Sequence, residues 1–171
     1  GSALFKSLFI NDNPKIALLN VGLEEYKGND VLKKTHSILK SNKTKNFEFT
    51  GYIEGNQIMD GNVDVIITDG FTGNIALKTA EGTANFITRN LKKSLNKFSL
   101  LFSYFSLKKF REKLDPRKYN GAIFIGLQSP VVKSHGGTDS VGFAYSINVC
   151  NKIVKFNLID KIKLNLINID A

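Results

Sequence analysis

Apolar positions along this chain follow two periods, and the alternation between them predicts an α/β fold. "KIALLNV" (15–21) is a short, nearly continuous apolar run, the signature of a strand buried on both faces. In "NDVLKKTHSILK", which follows it, Val31, Leu32, Thr35, Ile38 and Leu39 fall on one helical face. "FEFTGYI" (47–53) alternates as a second strand, and "VDVIIT" (63–68) has the β-branched richness of a third. A polar turn, "DGFTGN" (69–74), is expected next. From Asn74 a long helix is predicted, with Ala80, Ala84, Ile87, Leu91, Leu95 and Phe98 recurring every third or fourth residue.

Strands separated by helices imply parallel pairing in a sheet flanked by helices. "AIFIGL" (122–127) and "PVVKSH" (130–135) read as further strands. Ile153, Phe156, Ile159, Ile162, Leu166 and Ile169 predict a single amphipathic helix from Lys152 onward. No internal repeat and no Pro/Gly/Ser-rich linker interrupts the pattern. The expectation is one α/β unit over 1–171, with a protruding helical hairpin arm at 86–115.

The composition agrees with this picture and narrows it. At 171 residues, 42% hydrophobic and 23% charged, the chain suits one domain with a substantial core. The single cysteine, Cys150, excludes an internal disulfide and favours a reducing, cytoplasmic setting; it is expected as a small core residue in a helix. There is no apolar run of about 18 residues and no cleavable leader pattern, so neither membrane spanning nor export is expected. The net charge of +9 suggests an anionic partner. It is concentrated, however: between Arg89 and Lys113 lie eight basic residues and one acid, Glu112.

That basic stretch contains "KFSLLFSYFSLKKF" (97–110), in which Phe98, Leu101, Phe102 and Phe105 lie among cations that include Lys108 and Lys109. The run is too short to cross a bilayer and too dense for an ordinary exposed helix. It suits shallow docking on an anionic membrane or on an acidic, acyl-carrying partner; the alternatives are a dimer interface or packing against other parts of the protein. Nucleic acid is not expected, because the aromatic residues cluster instead of alternating with the charges along a groove.

Candidate chemistry collects in three polar, glycine-bearing loops that follow predicted strands: 22–29, 69–74 and 135–139. In an open parallel sheet such loops gather at the carboxyl edge, where ligands bind. A helix start with free amides attracts phosphate or carboxylate. Lys27, Lys78, His135 and the helix starts after Asn29, Asn74 and Thr138 are thus candidates to hold a multiply charged anion. The alternative for Asp69 and Asp139 is simple helix capping, and for Glu24, Glu25 and Lys27 solvated loop charge. His36 reads as structural or exposed. His135, which ends a strand before two glycines, can donate a hydrogen bond or carry a proton beside a ligand. With two histidines and one cysteine no zinc site is expected, and no cofactor is called for. The phosphate loop GxxxxGK[ST], a complete GxGxxG and the GxSxG serine elbow are all missing, which disfavours nucleotide hydrolysis and serine hydrolysis.

Taken in order, "LLNVGLEEYKGN", "GYIEG", "DGFTGNIALKTAEG" and "YNGAIFIGLQSPVVKSHGGTDS" resemble the bacterial phosphate acyltransferase (PlsX) family of phospholipid synthesis, from about Pro14 through Cys150. The resemblance implies transfer of a long-chain fatty acyl group from acyl carrier protein to inorganic phosphate, giving acyl phosphate. It also implies a homodimer, a cytoplasmic enzyme with peripheral contact at the inner face of the membrane, and a two-domain fold similar to phosphate acetyltransferases and isocitrate-type dehydrogenases with a cleft between the domains. On this reading the chain corresponds to the carboxyl-terminal half, is inactive alone, and lacks the amino-terminal half and its cleft-facing loops. The expected roles are His135, Asn74 and Asp69 in catalysis, with Lys27, Gly28, Asn29, Gly70, Gly73, Lys78 and Gly136 holding phosphate. Two alternatives stay open at this level: a noncatalytic dimerisation or membrane-docking module, and a soluble phosphate acetyltransferase acting on acyl-coenzyme A.

Overall fold

The computed structural model describes residues 1–9, 13–42, 46–94 and 115–167. The chain divides into two compact units, one made of 1–73 with 157–171 and the other of 74–156.

In the first unit, β1 (Lys15–Leu19) is the centre of a three-stranded parallel sheet of order β2-β1-β3, with β2 at Glu48–Ile53 and β3 at Val65–Ile67. Ile16, Ala17, Leu18 and Leu19 are all buried, which is why this run is apolar without alternation. The β1–β2 register shifts by one residue: Ile16 faces Phe49, while Ala17 faces Gly51. The extra residue is Thr50, whose Oγ1 donates to the Ile16 carbonyl at 3.1 Å, and Gly51 accommodates the bulge at φ +93°. Beyond the strands, Lys15 N–H donates to Asp64 Oδ2 at 2.8 Å and Asp64 N–H donates to the Lys15 carbonyl at 2.9 Å, which sets the entry of β3 against β1.

Helix α2 (Asp30–Ser41) follows β1 and is capped by Asn29, whose side chain accepts from Leu32 N–H at 2.9 Å. His36 on its inner face is buried, stacked on Tyr52 with ring centres 4.5 Å apart and edge-on to Phe49 at 5.3 Å. Its role here is packing between α2 and β2. Helix α1 (Ser2–Leu8) and the terminal helix α5 (Leu158–Ile167) also belong to this unit, and Asn165 Nδ2 donates to Ser7 Oγ at 3.0 Å between them.

Helix α3 (Gly70–Ser94) begins in the first unit and continues in the second. It starts four residues earlier than Asn74, so most of the expected polar turn is in fact the first helical turn. The second unit also holds a 3₁₀ turn (Pro116–Tyr119), the short strands β4 (Ala122–Ile123) and β5 (Val132–Lys133), and α4 (Ser140–Lys155). The two strands are shorter than their apolar runs suggested, and they pair antiparallel, with Ala122 opposite Lys133 and Ile123 opposite Val132. A parallel pair needs a crossover of a dozen or more residues, and the short link between these strands permits only a hairpin. Phe124, Ile125 and Leu127, assigned to a strand by their hydrophobicity, are exposed in that link.

The helix expected from Lys152 onward is two helices. Asn157, at φ +48°, stands between α4 and α5 in the left-handed region, which ends the first of them. Of the expected arm at 86–115, the structure describes 86–94, the end of α3, and Asp115; Phe98, Leu101, Phe102, Phe105, Lys108 and Lys109 lie outside the described residues. No helix among the described residues is long and apolar enough to cross a membrane.

Candidate active site

In the first unit, parallel pairing of β1 with β3 (Leu18 opposite Ile67) brings the ends of both strands to one edge of the sheet. The loop 22–29 and the start of α3 therefore emerge from neighbouring strands. The chain moves from β1 to β2 on one side and from β2 to β3 on the other, so the order reverses at β1; the carboxyl edge at such a reversal is a ligand-binding crevice in open α/β sheets.

Lys27 lies in that loop, half-exposed, with its ammonium 2.9 Å from Glu24 Oε1. The pair lowers the Glu24 carboxyl below its ordinary value. Glu25 pairs with Lys40 on α2 and is lowered by the same cause. Gly28 turns the chain at φ +88°, where a Cβ would lie 2.4 Å from Asn20 Oδ1, so the loop needs a residue with no side chain there. Asn20 is buried at the end of β1, and its Nδ2 donates to the Lys27 carbonyl at 3.2 Å. It ties the cation-bearing loop to the central strand. Sequence reasoning passed over Asn20; the available signal was a polar residue closing a buried apolar strand.

At the start of α3 the capping alternative for Asp69 holds. Asp69 Oδ1 accepts from Phe71 N–H at 2.9 Å and Thr72 N–H at 2.8 Å, and Oδ2 accepts from Thr72 Oγ1 at 2.6 Å. Gly73 N–H donates to the Asp69 carbonyl at 3.0 Å. The amides expected to face outward unpaired are thus occupied at Phe71, Thr72 and Gly73, and those bonds hold the Asp69 carboxyl below the usual range, with the Thr72 hydroxyl the largest cause. Gly70 is the first helical residue, and Gly73 sits where a Cβ would come within 2.7 Å of Thr68 Cγ2. Asn74 and Lys78, further along α3, are exposed and one turn apart on the helix.

In the second unit the loop after β5 surrounds an asparagine that the sequence reading did not single out. Asn120 is 9% exposed. Its Oδ1 accepts from His135 N–H at 2.9 Å, and its Nδ2 faces Ser134 Oγ at 2.9 Å, Thr138 Oγ1 at 3.2 Å and the Gly142 carbonyl at 2.9 Å. His135 itself is exposed, and its Nδ1 accepts from Gly137 N–H at 3.3 Å. Gly136 is exposed, with open space where a Cβ would lie. Asp139 caps α4 by accepting from Gly142 N–H at 2.9 Å, which together with Arg117 lowers its carboxyl. Arg117 reaches Asp139 Oδ2 at 3.1 Å and Asp115 Oδ2 at 2.7 Å. The bonds from Arg117 hold Asp115 at about 2. A shallow groove lined by Ser140, Val141, Ala144, Tyr145 and Asn148 runs along α4 and carries no charged group. Among the described residues, no three His, Cys, Asp or Glu side chains gather closely enough to hold a metal ion.

A family described as fatty acid synthesis protein matches residues 1–161. The chain is 61% identical over 171 residues to a phosphate acyltransferase of Pelagibacter ubique, covering 97% of this chain and 51% of that protein. It is 45% identical over 167 residues to the phosphate acyltransferase of Afipia carboxidovorans, covering 95% and 47%. It is also 43% identical over 171 residues to one of Rhodopseudomonas palustris, covering 97% and 48%. The chain spans about half the length of the curated relatives it matches.

Proposed function

This chain belongs to the fatty acid synthesis protein family, and on that premise we propose that the complete protein is a phosphate acyltransferase acting on a long-chain acyl group carried by acyl carrier protein. An oxygen of hydrogen phosphate attacks the thioester carbonyl carbon. The C–S bond breaks as the C–O bond forms, and the proton lost by phosphate ends on the departing carrier thiol. The products are acyl phosphate and free carrier protein. No covalent enzyme intermediate is required, so the protein's task is to bring a dianion and a thioester together, exclude water and stabilise the oxyanion.

The observation that supports this reading is that the loop 22–29 and the start of α3 leave neighbouring parallel strands, β1 and β3, at the same edge of the sheet. Lys27 supplies the positive charge there, with Gly28 and Asn29 shaping the loop around it. Gly70, Gly73, Asn74 and Lys78 extend the phosphate site along the first turns of α3. Because Asp69 already occupies two amides, its part is to order that turn, and Asn74 is the α3 group that reaches the reacting phosphate. For His135, in the second unit with Gly136 beside it, we propose a hydrogen bond to phosphate or proton donation to the leaving thiolate. We place this chain as the carboxyl-terminal half of a two-half cleft, in a cytoplasmic homodimer whose 97–110 segment meets the acidic acyl carrier or an anionic membrane.

The test is phosphate-dependent thiol release from long-chain acyl carrier protein, using this chain alone, this chain with the separately expressed remainder, and the complete protein. Activity in the mixture and the complete protein only is expected. An inactive but folded complete protein overturns the reading.

A further inference from the structure

We propose that Asn120 is a positioning residue of the acyl-transfer site, holding His135 and the glycine turn after it in the geometry that turnover requires; this rests on the role given to His135 above. The residue lies just after the 3₁₀ turn, buried to 9% exposure. From there one side-chain amide bonds to four points of a single loop: the backbone N–H of His135, the hydroxyls of Ser134 and Thr138, and the carbonyl of Gly142 in the first turn of α4. Gly137 N–H then donates to His135 Nδ1. The result is a continuous path from a buried amide through the His135 backbone and the glycine turn to the imidazole.

The packing around Asn120 is arranged for this close approach. Gly121 adopts φ +118°, and a Cβ there would lie 3.2 Å from Ser146 Cα, so glycine lets the segment run against α4. At Gly142 a Cβ would lie 2.0 Å from Thr138 Oγ1. Nδ2 has two hydrogens for three acceptors, so the network is fully committed on the donor side. Loss of the amide removes the donor shared by the part-buried Ser134 and Thr138 hydroxyls and the Gly142 carbonyl, and takes from the His135 N–H its acceptor, so the loop loses the bonds that fix it. An asparagine placed only to close a turn would need one or two of these bonds. Here every bond falls on the loop that carries His135 or on the helix start that the loop enters.

The test uses the complete protein with long-chain acyl carrier protein and phosphate, comparing Asn120→Ala, Asn120→Asp, His135→Ala and the double variant Asn120→Ala/His135→Ala. Misplacing the imidazole is expected to lower kcat by about 10- to 100-fold, with KM for the acyl donor held within about twofold. Asn120→Asp keeps the oxygen that accepts from His135 N–H and sets a carboxylate oxygen against only one obligate acceptor, the Gly142 carbonyl, so it is expected to lose less than Asn120→Ala; a greater loss overturns the inference. If Asn120 acts through His135, the double variant is no slower than His135→Ala alone. A slow His135→Ala with an unimpaired Asn120→Ala, or a double variant whose loss is the product of the two single losses, overturns the inference. A His135→Ala variant within about twofold of the parent removes the role of His135 itself and this inference with it. An inactive parent instead fails the acyl-transfer reading on which both stand. Should Asn120→Ala not fold, Asn120→Ser replaces it. Its His135 amide is expected to exchange hydrogen at least about tenfold faster while the β1 amides keep the parent rate, and unchanged exchange overturns the inference.

Discussion

Gly28 shows how a single missing side chain sets the geometry of the loop 22–29. It combines a left-handed backbone with a space filled by Asn20 Oδ1, 2.4 Å from where a Cβ would be built. Gly28→Ala is expected to cost at least about 1–2 kcal/mol for the backbone conformation alone, with displacement of Asn20 adding to it. Denaturant unfolding measures the cost. Gly136 is the contrast: it has neither a positive φ nor a neighbour within 4 Å, so Gly136→Ala is expected to change folding stability by less than about 0.5 kcal/mol. If the complete protein with Gly136→Ala nevertheless loses phosphate affinity, the lost space is one that the ligand uses. Retained affinity removes Gly136 from the site. A residue-by-residue sequence reading recognised both glycines but not this difference, since a Cβ clash depends on Asn20, which approaches Gly28 only after the loop has closed.

At the scale of elements, helix starts in both units rest on carboxylates. Asp69 opens α3, Asp115 the 3₁₀ turn and Asp139 α4, and all three carboxyls are lowered. A lowered carboxylate contributes stability that is complete above its unfolded value and is lost as pH falls through its folded value. For Asp115, whose carboxyl falls from 3.8 to about 2, that window lies between those two values. Asp115→Asn is therefore expected to flatten the dependence of stability on pH in that window relative to the parent, and an equally steep acid transition in both counts against the Arg117 pairing as its source. The core makes a second demand at this scale. Leu18 is 1% exposed in the central strand, and Leu18→Ala is expected to cost about 2–5 kcal/mol by urea unfolding. The first three strands and α2 were legible because burial on both faces, alternation and apolar residues at helical spacing each leave a local mark. The extent of β4 and β5 was not, because the apolar residues Phe124, Ile125 and Leu127 are exposed here and hydrophobicity alone cannot tell a strand from a connection. The break at Asn157 was hidden for a related reason: the apolar spacing of α4 and α5 runs through it without interruption.

At the scale of the whole molecule, the curated relatives are about twice as long as this chain, and the expectations at this scale are stated for the complete protein. The stretch 97–110 combines aromatic density with flanking lysines, so the complete protein is expected to sediment with vesicles rich in anionic lipid and to lose that binding when Lys108 and Lys109 are both changed to Glu. Equal sedimentation of parent and variant, or none by the parent, removes the membrane role and leaves an acidic acyl-carrying partner, a dimer interface or packing against other parts of the protein.

The sequence by itself determined the alternation of strand and helix in the first unit, the buried character of β1, the positions of the polar glycine loops and, through their order, the family. These are properties of local pattern: each follows from residues near one another in the chain, whose spacing dictates which face is apolar and where the backbone must turn. The tertiary structure alone decided that β1 is central, so that two of the loops share one sheet edge, that Asp69 uses the α3 amides itself, and that Asn20 and Asn120 hold the loops they serve. Those facts depend on which distant groups meet. A hydrogen-bond partner 14 to 22 residues away, as for Asn120, leaves no periodicity to read, and appears only when strands and helices have packed around it.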